Sequence, residues 1–187
     1  MDKLANQLIN NNIQMSNLFY VIFLSIFTFN VASYAQGETI PEPVWKSRAE
    51  YKMSEKRILA YIRDIQKDPV ANVENKAKTD YVLRWILGCP YVAIKLKNSY
   101  FEKILSDDRY EFANFIAHGM LFGEVLYYLE NPFDRDKTNA MRSSVYYTID
   151  VYKKLKVHND ETTCEILELF IRLEQDNTLN KFIFLDN

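Results

Sequence analysis

Between Phe112 and Leu129 apolar residues return every three or four positions. Phe112, Phe115, Gly119, Phe122, Leu126 and Leu129 form one stripe, and Ala113, Ile116, Met120, Gly123 and Tyr127 form a second beside it. Two adjoining stripes at helical period leave only a narrow polar arc, so the segment predicts a helix covered by neighbours on most sides. Asp107 and Asp108 mark its expected start, and Asn131-Pro132 closes it after Glu130. Gly119 and Gly123 stand one turn apart and predict that another element approaches this backbone closely. In a bilayer that spacing marks helix pairing, but Glu111, Asn114, His118 and Glu124 make this a core helix in water.

The flanking sequence supplies the covering helices. Ser54 is the expected cap of a helix whose inner face holds Ile58, Tyr61, Ile62 and Ile65, ended by Asp68-Pro69. Tyr81, Val82, Trp85 and Ile86 make the next face, with Gly88 and Pro90 as C-terminal punctuation. From Tyr91 to Lys97 apolar and other residues alternate, which predicts a short extended connector. Ser99-x-x-Glu102 reads as a capping box opening a short helix to Leu105. Beyond Asp136, Met141, Val145, Ile149, Tyr152 and Leu155 share a face. Asn159 or Asp160 is the expected cap for Ile166, Leu167, Phe170 and Leu173, and Thr178 opens a last turn to Leu185. The expected fold is therefore all-α: an irregular antiparallel bundle of about six helices, with a repeat-like stack of helix pairs as the alternative. No period of 20–50 residues aligns the helices as regular repeats.

Upstream of the helical domain (residues 53–187) the reading changes. Leu18 to Phe29 is an apolar run of 12 residues, followed by small residues at Ser33 and Ala35. That pattern predicts a signal peptide over residues 1–35, cut after Ala35, with residues 36–52 as an extended lead-in. A retained anchor is the competing reading, but Ser25, Thr28, Asn30 and Ser33 interrupt the stretch, and a bilayer asks for about 20 mostly apolar residues. Lys3 is the one basic residue before the run, and Met15 is an alternative start. The expected location is periplasmic or secreted, with no stable membrane span after cleavage. Export lets Cys89 and Cys164 form a disulfide, and a bridge closing so long a loop adds about 4 kcal/mol in the chain-entropy account. The other reading is two free thiols packed as small hydrophobes.

Composition narrows the chemistry. Lys and Arg number 23 against 25 Asp and Glu, a net charge of −2, so no overall excess attracts a phosphate backbone and nucleic acid is not an expected partner. Four glycines, none spaced as a phosphate-cradling loop, remove the Gly-rich nucleotide folds, and no cofactor is expected. His118 follows Glu111 by two helical turns, which would let a carboxylate orient an imidazole base, yet no nucleophile pairs with it in the sequence. His158, after Lys153, Lys154 and Lys156, reads as a cation at a helix end. Asp134-x-Asp136-x-Thr138 resembles the start of a calcium loop, but Asn139 and Val145 stand where that loop needs Gly and Glu. Helix capping is the better reading, and no metal is expected. Glu111, Glu124 and Glu130 could supply paired carboxylates for hydrolysis, as many acids in any helical protein could.

Thirteen Tyr and 12 Phe carry more information. In Tyr127-Tyr128 and Tyr146-Tyr147 two adjacent helical residues cannot face one core together. One ring of each pair is therefore expected at the periphery, where tyrosine serves recognition.

These features together resemble a group of small exported, all-helical proteins of unknown function from Bacteroidetes. The likeness rests on the Ala35-Gln36 junction, on Trp85 followed by Cys89-Pro-Tyr-Val-Ala-Ile94, and on Tyr152-Lys-Lys154 with Leu167 to Leu173 and Asn177-Thr-Leu-Asn-Lys-Phe-Ile183. It implies export and a helical fold and transfers no catalytic residue. The expected function is a non-enzymatic binding module of the cell envelope whose partner is an envelope protein or glycan. The alternative is an envelope hydrolase using carboxylates or His118.

Overall fold

A computed structural model of the chain describes Ile40 and residues 43–185, apart from 71, 93, 95–98, 107–109 and 159–162. The expected signal peptide, the Asp107-Asp108 start, the Asn159 or Asp160 cap and much of the 91–97 connector lie outside the described residues. So do the side chains of Ser99 and His158. Among the described residues there are seven helices and no strand: α1 (Arg48–Lys67), α2 (Val73–Gly88), α3 (Ser99–Leu105), α4 (Ala113–Glu130), α5 (Lys137–His158), α6 (Glu165–Gln175) and α7 (Leu179–Leu185). The protein is an all-α helical bundle.

The centre is the α4–α5 hairpin. Its antiparallel register follows from Gly119 beside Tyr147 and Thr148, and Gly123 beside Ser143 and Ser144. Ser143 Oγ donates to the Gly123 carbonyl at 2.8 Å and Ser144 Oγ to the Met120 carbonyl at 2.7 Å, so short hydroxyl side chains bond one helix backbone to the other. The close approach expected of the two glycines is realised, and it occurs at Gly123. Ile116, Ala117, Met120, Leu121, Phe122 and Val125 are buried around the same helix, whereas Phe115, Leu126 and Leu129 are half-buried. The second apolar stripe thus faces the centre more fully than the first.

α1 and α2 form a second antiparallel hairpin, with Tyr61 against Tyr81 and Asp64 ion-paired to Lys78 at 2.9 Å. Ile58, Ile62 and Ile65 are buried, as the periodicity predicts. The start of α1 differs from expectation. Ser47 caps it, its hydroxyl accepting from Glu50 N at 3.3 Å, and the Glu50 carboxylate accepts from Lys46 N at 2.6 Å. Ser54 instead donates to the Tyr51 carbonyl one turn back, so residues 48–52 of the expected lead-in are helical. Asn72 caps α2, and Asn75 Nδ2 braces the intervening turn by donating to the Asp68 and Val70 carbonyls at 2.6 and 2.8 Å.

α4 starts later than expected, at Ala113, after a turn in which Ala113 N bonds the Tyr110 carbonyl at 3.0 Å. In the 91–97 connector, the described residues Tyr91, Val92 and Ile94 form no strand; Val92 is buried and Tyr91 packs edge-on against Trp85. The N-cap position of α6 is Cys164, whose side chain makes no cap hydrogen bond; its N–H donates to the Tyr152 hydroxyl at 3.2 Å, and that hydroxyl donates on to Glu168. Between α6 and α7 the chain reverses through Asn177 at φ 57°, with Thr178 N on the Leu173 carbonyl and Asn177 N on the Glu174 carbonyl. Asn tolerates this left-handed position better than most residues, and the paired bonds close the end of α6.

Across the bundle, Tyr147 donates its hydroxyl to the Ile62 carbonyl at 2.9 Å and Lys154 Nζ reaches the Gln66 carbonyl at 2.7 Å, which sets α1 parallel to α5. No helix among the described residues is long and apolar enough to cross a membrane.

Candidate functional site: two aromatic surfaces

The first surface is the end of the hairpin where α4 passes to α5. Tyr127 and Tyr128 are half-buried and meet edge to face at 5.8 Å. Tyr127 donates its hydroxyl to Asp134, and the Arg135 guanidinium lies 5.8 Å above the Tyr128 ring. Asp134 accepts from Asp136 N at 2.8 Å, and Asp136 accepts from Thr138 N at 2.8 Å and Asn139 N at 3.3 Å. The Asp134-x-Asp136-x-Thr138 segment is therefore a pair of local caps, as expected. Hydrogen bonding to Tyr127 and the backbone holds the Asp134 carboxyl below its ordinary range. On this braced loop Phe133 is 100 % exposed.

The tyrosine expectation divides here. Tyr127, Tyr128 and Tyr146 keep partial exposure, but Tyr147 does not belong to a recognition surface. It is 2 % exposed because the Gly119 and Gly123 face admits its ring into the α4–α5 seam.

The second candidate lies along the α1–α2 hairpin, where exposed groove residues border a partly buried row of rings. Tyr91, Trp85, Tyr51, Trp45, Tyr81 and Tyr61 make a continuous chain of rings, each centroid 5.2–6.2 Å from the next. Trp45 links the segment before α1 to both helices of the α1–α2 hairpin. Beside it lies an open groove of about 730 Å³, with Pro43, Val44, Trp45, Met53 and Tyr81 on its apolar side and Glu50, Lys56 and Arg57 among its polar groups. Trp45 and Met53 drew no attention in sequence because neither belongs to a core stripe. The available signal was Ser47-x-x-Glu50, a capping pattern that places Met53 and Lys56 on a helix surface.

The catalytic candidates do not converge. Glu111 stands in the turn before α4, so the expected helical register between it and His118 does not exist. His118 stacks on Phe122 at 6.4 Å, and burial lowers its pKa from 6.5 to about 4, keeping it neutral. Glu124 is the acid most altered by its setting: burial raises it from 4.5 to about 7, and its Oε2 has no hydrogen-bond partner. Glu130 is taken by Arg63. The structure does not join Cys89 to Cys164; Cys89 follows α2 and Cys164 precedes α6, and both pack on the core. Among the described residues no group of three or more His, Cys, Asp and Glu side chains is placed to hold a metal ion.

No protein-family model matches the chain, and no curated protein or solved structure matches it either.

Proposed function

We propose that the chain is exported and works as a non-enzymatic binding module of the cell envelope, holding an envelope protein or glycan through the aromatic end of the α4–α5 hairpin. The observation that carries this reading is the full exposure of Phe133 on a loop fixed by Asp134 and Asp136. Large rings anchor interfaces, and a ring held on a braced loop loses less freedom on binding than one on a slack loop. Tyr127 and Tyr128 widen the same surface. Export is supported by the apolar run from Leu18 to Phe29 and the small residues at Ser33 and Ala35.

The test is crosslinking and capture from the envelope fraction with the wild-type chain and with Phe133→Ala and Tyr128→Ala. Both variants should lose the captured species by tenfold or more, a typical cost of about 1.4 kcal/mol or above for a central aromatic, with unchanged helical circular dichroism. Equal capture by all three chains removes the proposal. One observation favours a second reading, an envelope hydrolase using a carboxylate: Glu124 titrates near neutrality, where a general acid works best. Glu124 does not line the groove, and turnover by the wild type that Glu124→Gln abolishes would be needed to sustain it.

A further inference from the structure

The outward side of α1 is a row of cations. Arg48, Lys52 and Lys56 follow at four-residue steps and Arg63 and Lys67 continue them, so five positive side chains share one side of a 20-residue helix about 30 Å long. The opposite side, with Ile58, Ile62 and Ile65, is buried. From residue 46 to 67 seven cations stand against three acids, in a chain whose total charge is −2. Lys52 pairs with Glu55 and Arg63 with Glu130, and Arg48 lies over the Tyr91 ring. Among the described residues Lys56, Arg57 and Lys67 have no carboxylate partner. Beside Lys56 and Arg57, Met53 is 75 % and Val44 71 % exposed, and Trp45 borders the same groove.

We propose that this face docks on an anionic phospholipid bilayer, with Lys56, Arg57 and Lys67 against the lipid phosphates and Met53 and Val44 entering the headgroup layer. Exposed aliphatic tips, an indole at the edge and long cationic stems are what an interfacial helix presents to such a surface. The cations are spread along the helix on flexible stems, which suits a fluid plane of phosphates that moves to meet them. A folded acidic protein or a nucleic acid carries its charges at fixed spacings and would have to match each position. The inference uses α1 and the groove, and it does not depend on Phe133 or on the partner held there.

The test is co-sedimentation of the full chain with vesicles of phosphatidylcholine alone or mixed with phosphatidylglycerol, at low and high salt. The apolar run at residues 18–29 is common to every arm, so the difference between vesicle types isolates the charge effect. Binding to the mixed vesicles should be stronger and should fall with salt. The triple variant Lys56→Gln, Arg57→Gln, Lys67→Gln should lose roughly 100-fold on mixed vesicles, about fivefold per charge, and nothing on neutral ones. Met53→Ser should weaken binding with the charge unchanged, and circular dichroism should match the wild type throughout. Equal binding to both vesicle types overturns the proposal, as does an unaffected triple variant. Displacement by inorganic phosphate, or preference for polyglutamate or duplex DNA over the mixed vesicles, overturns it in favour of a soluble anion.

Discussion

Two glycines on one helix should respond to the same substitution with opposite sign. At Gly123 an added Cβ would lie 2.6 Å from Ser144 Cα, 2.8 Å from the Ser143 carbonyl oxygen and 2.9 Å from Tyr147 Cβ. Two of these atoms are backbone and cannot swing aside. Relief therefore needs α4 and α5 to part by the gap between 2.6 Å and the 3.4 Å of ordinary contact, about 0.8 Å. Over-packing of this kind costs about 2 kcal/mol. Parting the helices also stretches the Ser143–Gly123 and Ser144–Met120 bonds, and half-losing two such bonds adds about 1 kcal/mol. Helix propensity returns about 1 kcal/mol when Ala replaces Gly. Gly123→Ala is thus expected to destabilise by about 2 kcal/mol. At Gly119 the nearest atom is Tyr147 Cε1 at 3.5 Å, an ordinary contact, so propensity decides and Gly119→Ala should stabilise by about 0.5–1 kcal/mol. Urea unfolding of both variants, followed by helical circular dichroism, measures the pair. Shifts of the same sign, or a Gly123→Ala chain as stable as the wild type, would show that the seam is not limited by backbone contact.

Glu124 and His118 give a pH signature. The raised carboxyl contributes stability that is full below pH 4.5 and is lost as pH rises through about 7; the lowered imidazole contributes stability that is full above pH 6.5 and is lost as pH falls through about 4. Between pH 4.5 and 6.5 the two slopes oppose each other, so wild-type stability should be nearly flat there and fall towards pH 7 and above. Glu124→Gln should leave the His118 slope alone, rising from pH 4.5 to 6.5 and then level, with a gain over wild type at pH 8 on the order of 3 kcal/mol. Urea midpoints across this range check it, and parallel profiles would refute it. Tyr147→Phe removes a buried hydroxyl from the Ile62 carbonyl at 2.9 Å and should cost about 1 kcal/mol in the same assay. No loss would mean that this bond does not hold α1 to α5.

Much of the bundle was legible because helical period is a local property. Ile58, Ile62 and Ile65, then Tyr81, Val82 and Trp85, then Val145, Ile149 and Tyr152 are buried where their spacing places them. Boundaries were less legible, because several sites in the sequence can serve as a cap and packing selects among them. Both Ser47 and Ser54 are plausible caps for α1, and Trp45, docked between Tyr51 and Tyr81, draws the chain onto the hairpin so that Ser47 fills the role. α6 is harder still, since its first free N–H is met by a tyrosine hydroxyl from α5 and no nearby residue signals it. The candidate surfaces divide in the same way. Tyrosine pairing placed one ring of Tyr127-Tyr128 and one of Tyr146-Tyr147 at the periphery; that both Tyr127 and Tyr128 keep exposure while Tyr147 is buried depends on which side of α4 lacks side chains facing α5.

By itself, then, the sequence determined that the chain is helical, which face of most helices turns inward, and that two glycines open one helix to a neighbour. These follow from the order of residues along a 3.6-residue repeat. The tertiary structure decided that the opening at Gly123 is filled by the backbone of α5, that Trp45 completes a chain of six rings beside a groove, and that Lys56, Arg57 and Lys67 have no carboxylate partner among the described residues. Each of these depends on which distant residue arrives, and loop closure and packing, not spacing, settle that.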